Sequence, residues 1–554
     1  MTLRAHALAA LLIYSLLAAV LMVHGASLLH ELSGAGSDPY ESSWFLAWWP
    51  YALTHHLDPF FTKLIWYPIG ASLLWVTSVP LLALLGWPLT AAFGPVLTYN
   101  LFIVTSPVFC AWSAYLLCRH ITRNFAAALI GGFIFGFSTY VTSQSVGALN
   151  LTAVYLVPVL LLVLLKRLDD ELSRPQIVAL AAVLLLAQFL ICIEIFATIF
   201  VFGGLTWALA WACLPTRRPV LKRLFADGLY TAPFVALPLL PLFIAMAPHY
   251  ALIHHPPLWP YIWVTDLKSI LLPSQLNLFS HTFLFFNDHR GGSQENGAYL
   301  GLPLLLVLAL FAWSKRHTPR GRFCSLVFLL CLVCSFGPYL WVAGKCTGIV
   351  MPWMAMVHLP LLAGALPARF TMFASLAAAI IAAIWLAQPG RRALRLALGL
   401  AACIALLPQP HPWRPLPDAK FFAPGRVQQV LGAHPRLLLL PFAINGPSSY
   451  WQMQNQFGFT QVGGYLGFPP RPAQSYKAVI ELFGDHMGQS LVAADFAAYA
   501  REAGAQYIVA GPGADPAELN VIATLGWPAC RIDDVTIITV PNSVVPNCTT
   551  GGTK

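Results

Sequence analysis

The apolar residues of this chain fall in uninterrupted blocks of roughly 17–23, the length that crosses a hydrocarbon core about 30 Å thick, separated by short charged or Pro-rich breaks. Inside lipid every backbone N–H and C=O must find a partner within the protein, which a helix achieves segment by segment. Hydrophobic residues make up 58% of the chain and charged ones 9%, and the mean hydropathy is +0.70. A soluble domain carries about 25% charged residues, so a water-soluble fold is excluded. The net charge of +10 does not signal nucleic acid, because the basic residues sit in short clusters between apolar blocks rather than on one soluble face.

Those clusters set the expected topology. Spans are expected at 7–29, 96–118, 125–142, 151–165, 176–194, 196–213, 228–247, 298–313, 323–343, 370–387 and 393–408, about eleven in all. Arg119 and Arg123, then Lys166, Arg167 and Arg174, then Arg217, Arg218, Lys222 and Arg223, then Lys315, Arg316, Arg320 and Arg322, and finally Arg391, Arg392 and Arg395 mark alternate connections as cytoplasmic. The N-terminus is then inside and the C-terminus outside. The block 72–93 is apolar enough to span, but a crossing there would reverse every later helix. It is read as a re-entrant or juxtamembrane pair of short helices broken at Pro80 and Pro88.

The expected fold class is an α-helical polytopic membrane protein with a small C-terminal α/β extracytoplasmic domain. The transmembrane domain is placed at 1–408, with a first outer loop at 30–95 and a large outer loop at 248–297. The second domain is placed at 409–554, after a linker stiffened by Pro408, Pro410, Pro412, Pro415 and Pro417. Strands are expected at 436–440, 506–510 and 535–540, with a helix at 492–503. Cys530 and Cys548 lie outside the cytoplasm on this topology, where a disulfide between them is expected. The remaining cysteines lack zinc spacing and read as small packing residues.

The first outer loop holds the most informative stretch, Gly36-Ser37-Asp38-Pro39-Tyr40-Glu41. Two carboxylates three residues apart beside a Gly-rich turn suit deprotonation of a hydroxyl or binding of a divalent cation. The bland alternative for Asp38 is a helix cap. Trp44, Trp48 and Tyr51 then recur on one helix face, expected to lie in the membrane interface. The order of first helix, acidic pair in the first outer loop, interface helix and Pro-containing juxtamembrane segment resembles the GT-C superfamily of membrane glycosyltransferases. So do the runs Asp58-Pro59-Phe60-Phe61, Tyr67-Pro68-Ile69-Gly70 and Leu366-Pro367-Ala368-Arg369-Phe370, and the turn Gly463-Gly464-Tyr465. The resemblance implies a polyprenyl-phosphate sugar donor, Asp38 as the catalytic acid residue and Glu41 as the second one. Glu41 stands where Asp would be commoner, and metal dependence is left open.

Further candidates follow from residue chemistry. Arg369, at the outer end of a span, suits a lipid phosphate, with a snorkelling interface residue as the alternative. Lys63, His55 and His56 suit a departing phosphate, and Glu194 is a costly acid at a span end. The loop 248–297 carries His249, His254, His255, Asp288, His289, Arg290 and Glu295 without helical metal-ligand spacing. The function expected from these features is inverting transfer of a sugar from a polyprenyl-phosphate donor to an envelope glycan, lipid or protein at the outer face of a bacterial inner membrane. The alternatives are a transporter or flippase, whose inverted repeats are not visible in the sequence, and a non-catalytic scaffold of envelope assembly.

Overall fold

The computed structural model of the chain describes residues 3–253, 259–280, 294–359, 362, 364–483 and 491–546. They form two compact units, each built from discontinuous stretches. The first comprises residues 1–28, 100–240 and 256–413; the second comprises 29–99, 241–255 and 414–554. The second unit is therefore more than the C-terminal segment, because most of the first outer loop folds with it.

The first unit is helical. Across the described residues of the chain, eight helices are long and apolar enough to cross a membrane: 4–23, 95–122, 125–144, 149–168, 174–191, 193–213, 215–252 and 367–386. Three more of the expected spans are the shorter helices Gly301–Lys315, Pro319–Ser335 and Arg392–Ala405, of 15, 17 and 14 residues. At 1.5 Å per residue these reach roughly 21–26 Å, just short of the hydrocarbon core. The span expected at 323–343 ends at Ser335, where the chain turns into a hairpin of Tyr339–Val342 and Lys345–Val350.

Small residues let the helices of this unit approach closely, as van der Waals packing in lipid requires. A Cβ on Gly136 would lie 2.4 Å from the Cβ of Ala111. Cys110 and Cys118 are fully buried packing residues. Three of the expected basic joints also gather at one end. His120 binds Asp169 at 3.0 Å, Arg223 binds Asp170 at 3.2 Å, and Arg167 and Arg174 grip the buried Asp227 at 2.7 and 2.8 Å. The joints after the helices 95–122 and 149–168 and the start of the helix 218–246 thus share an end.

The second unit is centred on a five-stranded sheet in the order Ala529–Ile532, Val535–Thr539, Tyr507–Ala510, Arg436–Leu440, Thr460–Gln461. The first two pairings are antiparallel and the last two parallel. Leu438 sits opposite Ile508 and Leu439 opposite Val509. These strands are buried and so read as continuous apolar runs. Cys530 is disulfide-bonded; its expected partner Cys548 lies outside the described residues.

The first-loop segment lengthens this framework by backbone hydrogen bonds. Gln461 N–H donates to Leu64 O, Tyr67 N–H to Gln461 O, and Trp66 N–H to Gly463 O, at 2.8, 3.0 and 3.0 Å. The aromatic helix Asp38–Thr54 packs in the same unit. Trp44 and Trp48 are buried, stacked at 5.2 Å, and meet Phe457 edge-on. The stripe expected to face the membrane interface is core, because Phe457 supplies the apolar partner that periodicity alone cannot name. The expected pair of short helices in 72–93 is a single 14-residue helix, Pro80–Phe93, preceded by the strand Ala71–Ser72. Pro80 opens that helix at its first turn, where a proline is tolerated, so it starts the element instead of splitting it.

Candidate functional site

Asp38 is the first residue of the helix Asp38–Thr54, reached through a left-handed Gly36 with φ +72°. Pro39 follows at a position where its missing N–H costs nothing. Asp38 is thus inside the first turn and is not the N-cap, which is Ser37. The Ser37 side chain makes no capping bond and donates its hydroxyl to Ile444 O.

The Tyr465 hydroxyl donates to Asp38 Oδ1 at 2.7 Å. Tyr465 arrives there from a backbone only glycine adopts readily. Gly463 and Gly464 have φ of +129° and +112°, and a Cβ on Gly464 would lie 2.6 Å from Ile65 Cδ1. Ser449 Oγ donates to Tyr465 O at 2.7 Å and fixes the turn's exit. Burial, then the Asp38 and Glu41 charges, hold the Tyr465 hydroxyl well above the usual tyrosine range, so it stays a donor.

Glu41, one helical turn on, is half-buried near Asp38. Burial, and after it the Asp38 carboxylate, push its carboxyl well above the usual range. Two carboxylates in unlike surroundings are how environment can separate the roles of two acids. Arg414 completes this cluster. Its Nη2 donates to Gly36 O at 2.6 Å and its guanidinium lies 4.2 Å from the centre of the Tyr40 ring.

A second cluster belongs to the first unit. Arg369, in the turn Pro367–Phe370, donates from Nε and Nη2 to Glu295 Oε1 at 2.9 and 2.7 Å and from Nη1 to Glu194 Oε2. Gln144 Nε2 donates to Glu295 Oε2 at 3.3 Å. The side chains of Arg369, Glu194 and Glu295 are only 19%, 21% and 8% exposed. Two carboxylates thus already occupy the arginine expected to hold a lipid phosphate.

The other expected residues lie apart from both clusters. His55 ends the helix that Asp38 begins, 17 residues or roughly 25 Å along it. It stacks on Tyr51 at 4.0 Å. His55, His56 and Lys63 are solvent-exposed. His249 stacks on Phe61 at 4.5 Å; His254, His255, Asp288, His289 and Arg290 lie outside the described residues. Among those described, His120, Asp169 and Glu171 form a group of ligand-type side chains, but Arg123 and Lys166 already flank Glu171. Asp38 and Glu41 have no third such side chain among the described residues, and a carboxyl inclined to keep its proton is a poor cation ligand. The pair does not by itself fit a metal. Sequence reasoning missed Arg414, Glu295 as a partner of Arg369, and the role of Tyr465. Only the last had a signal, the Gly-Gly-Tyr turn.

The sequence matches the model of a domain of unknown function, DUF6311, over residues 5–409. The chain belongs to the DUF6311 family. No curated protein matches it. Among solved structures, this DUF6311 chain is similar to arabinofuranosyltransferase AftD from mycobacteria, at 16% identity over 99% of its length with a TM-score of 0.56. A mutant of the same enzyme matches over 98% at 16% identity and a TM-score of 0.59. The chain spans 40% and 42% of the length of those two structures. It is also similar to an Archaeoglobus fulgidus oligosaccharyltransferase tethered with an acceptor peptide, at 11% identity over 91% of this chain and 68% of that one, with a TM-score of 0.50. The DUF6311 chain therefore shares its fold with this arabinofuranosyltransferase and this oligosaccharyltransferase.

Proposed function

We propose that this DUF6311 protein is a membrane glycosyltransferase that moves a sugar from a polyprenyl-phosphate donor to an envelope acceptor at the outer face of a bacterial inner membrane, with inversion at the anomeric carbon. The observation that carries the reading is the Asp38–Tyr465 hydrogen bond beside a Glu41 that favours its protonated form. A carboxylate oriented by a tyrosine hydroxyl suits the general base that takes the proton of an acceptor hydroxyl. Glu41, neutral, adds no second negative charge where a phosphate is to leave. The fold shared with an arabinofuranosyltransferase and an oligosaccharyltransferase supports the reaction class. The N-terminus lies in the cytoplasm, and the sheet of the second unit lies outside it with Asp38. Comparison of cell-envelope glycans and lipid-linked sugars between the wild type, a deletion strain and Asp38→Asn tests the reading. A glycan lost on deletion and not restored by the variant supports it; an unchanged envelope after deletion overturns it.

A further inference from the structure

The basic residues at the end of the first unit where Asp169, Asp170, Glu171 and Asp227 gather fall into two sets. His120, Arg123, Lys166, Arg167, Arg174 and Arg223 each pair with one of those acids. Arg217, Arg218 and Lys222 are exposed and, among the described residues, pair with no carboxylate. The local acids are occupied by the other cations, and the three left over stand together in one connection. Arg218 and Lys222, one turn apart at the start of the helix 218–246, share one indole. The Arg218 guanidinium lies 5.4 Å and Lys222 Nζ 5.8 Å from the centre of the Trp211 ring. Arg218 Nε also donates to Trp211 O at 3.1 Å, which holds the guanidinium over that ring. Like charges four residues apart on a helix repel, and the positive end of a helix dipole disfavours cations. An anion from outside the chain relieves both.

The surroundings say what kind of anion fits. Trp211 stacks on Trp207 at 5.4 Å, and Trp207 lies 5.4 Å from Phe225. Indoles at the end of a span sit at the level of lipid headgroups. Beyond them the helix 218–246 packs inward through Asp227, Thr231, Val235 and Leu239 and turns Phe225, Leu229, Phe234 and Leu237 outward, each more than half exposed. We infer that Trp211 with Arg217, Arg218 and Lys222 is a seat for an anionic phospholipid, whose phosphate meets the cations while an acyl chain lies along Phe225 and Leu229. The arginine fork matches two phosphate oxygens. A zwitterionic headgroup brings its own cation to a place that already holds three, so the seat selects lipids of net negative charge. This binding is independent of the reaction proposed for Asp38.

The test uses the full chain purified in detergent, with phosphatidylglycerol and phosphatidylethanolamine added in equal amounts and retention read by native mass spectrometry. The wild type is expected to retain phosphatidylglycerol about tenfold or more over phosphatidylethanolamine. Arg218→Gln combined with Lys222→Gln is expected to abolish that preference, since each cation at a membrane surface contributes severalfold. Arg123→Gln, at the same end but paired with Glu171, is expected to keep it. Equal retention of the two lipids by the wild type overturns the seat without any variant. An unchanged preference in the double variant overturns it too, and so does an equal loss in Arg123→Gln, which would reduce the effect to diffuse charge. Inorganic phosphate displacing phosphatidylglycerol at matching concentration would leave an anion site without a lipid and overturn the phospholipid assignment.

Discussion

Tyr465 and Asp38 are 427 residues apart in sequence and joined by a 2.7 Å hydrogen bond from the phenol to the carboxylate. The bond ties a turn of the sheet-bearing segment to the first turn of the loop helix, within one compact unit. It makes the orientation of the candidate base depend on residues far from it in the chain.

Asp38→Asn is expected to reduce sugar transfer about 10²–10⁴-fold, the usual contribution of a general base. Its effect on folding is small, because losing a negative charge from a helix first turn costs about 0.3–1 kcal/mol. Transfer assays alongside thermal unfolding separate the two effects. A near-wild-type rate would remove Asp38 from the chemistry.

Tyr465→Phe keeps the ring and loses the bond to Asp38, so transfer should fall about tenfold, less than in Asp38→Asn. Gly464→Ala should mimic it from a distance. The new Cβ collides with Ile65, and the backbone strain of φ +112° costs about 1–3 kcal/mol. A crystal or cryo-EM structure of Gly464→Ala with Tyr465 still bonded to Asp38 would contradict this coupling.

Glu41 gives a pH signature. Its carboxyl is raised on folding, so the folded state binds the proton more tightly than the unfolded one. The associated stability is complete below the ordinary glutamate value of 4.5 and is lost as pH rises through the raised one. Glu41→Gln is permanently neutral at this position. The variant should melt higher than wild type at pH 8, and the difference should shrink on acidification toward pH 4.5. A constant offset at all pH values would mean that Glu41 keeps an ordinary carboxyl.

Among the described residues Arg369 is the cation that pairs with both Glu194 and Glu295, and Arg369→Gln removes it, leaving two largely buried carboxylates near each other. A loss of about 3–5 kcal/mol is expected. Glu295→Gln should be milder because Glu194 still pairs with the arginine. Unchanged melting of Arg369→Gln in detergent would show that the pair is not holding the helix ends.

A reporter active only outside the cytoplasm should work when fused after residue 546 and be silent after Arg123. The opposite pattern would invert the orientation assigned from the basic joints.

What the sequence revealed followed the range of the signals. Apolar blocks and basic joints are local, and so are the strand runs 436–440 and 507–510. The Asp38–Glu41 spacing is local too, and it put both acids on one helical turn. Whether Trp44 and Trp48 face lipid or protein is not local, since a stripe of indoles looks the same against a headgroup and against Phe457. Arg414 sat unremarked in a proline-rich linker, because its partner Gly36 is 378 residues away. Glu194 and Arg369 were each legible as costly charges in apolar surroundings, yet nothing in either segment announces that they share a hydrogen bond.

Gln461 and Gly463 exchange backbone hydrogen bonds with Leu64, Trp66 and Tyr67, so the first-loop segment after the helix Asp38–Thr54 and the edge of the sheet complete one another. During synthesis the first loop leaves the ribosome long before its partners and must wait while every intervening helix is inserted. Asp38 gains its tyrosine only after the membrane part has been made. A ribosome that stalls before residue 465 leaves a membrane-inserted chain in which Asp38 has no Tyr465 phenol to orient it.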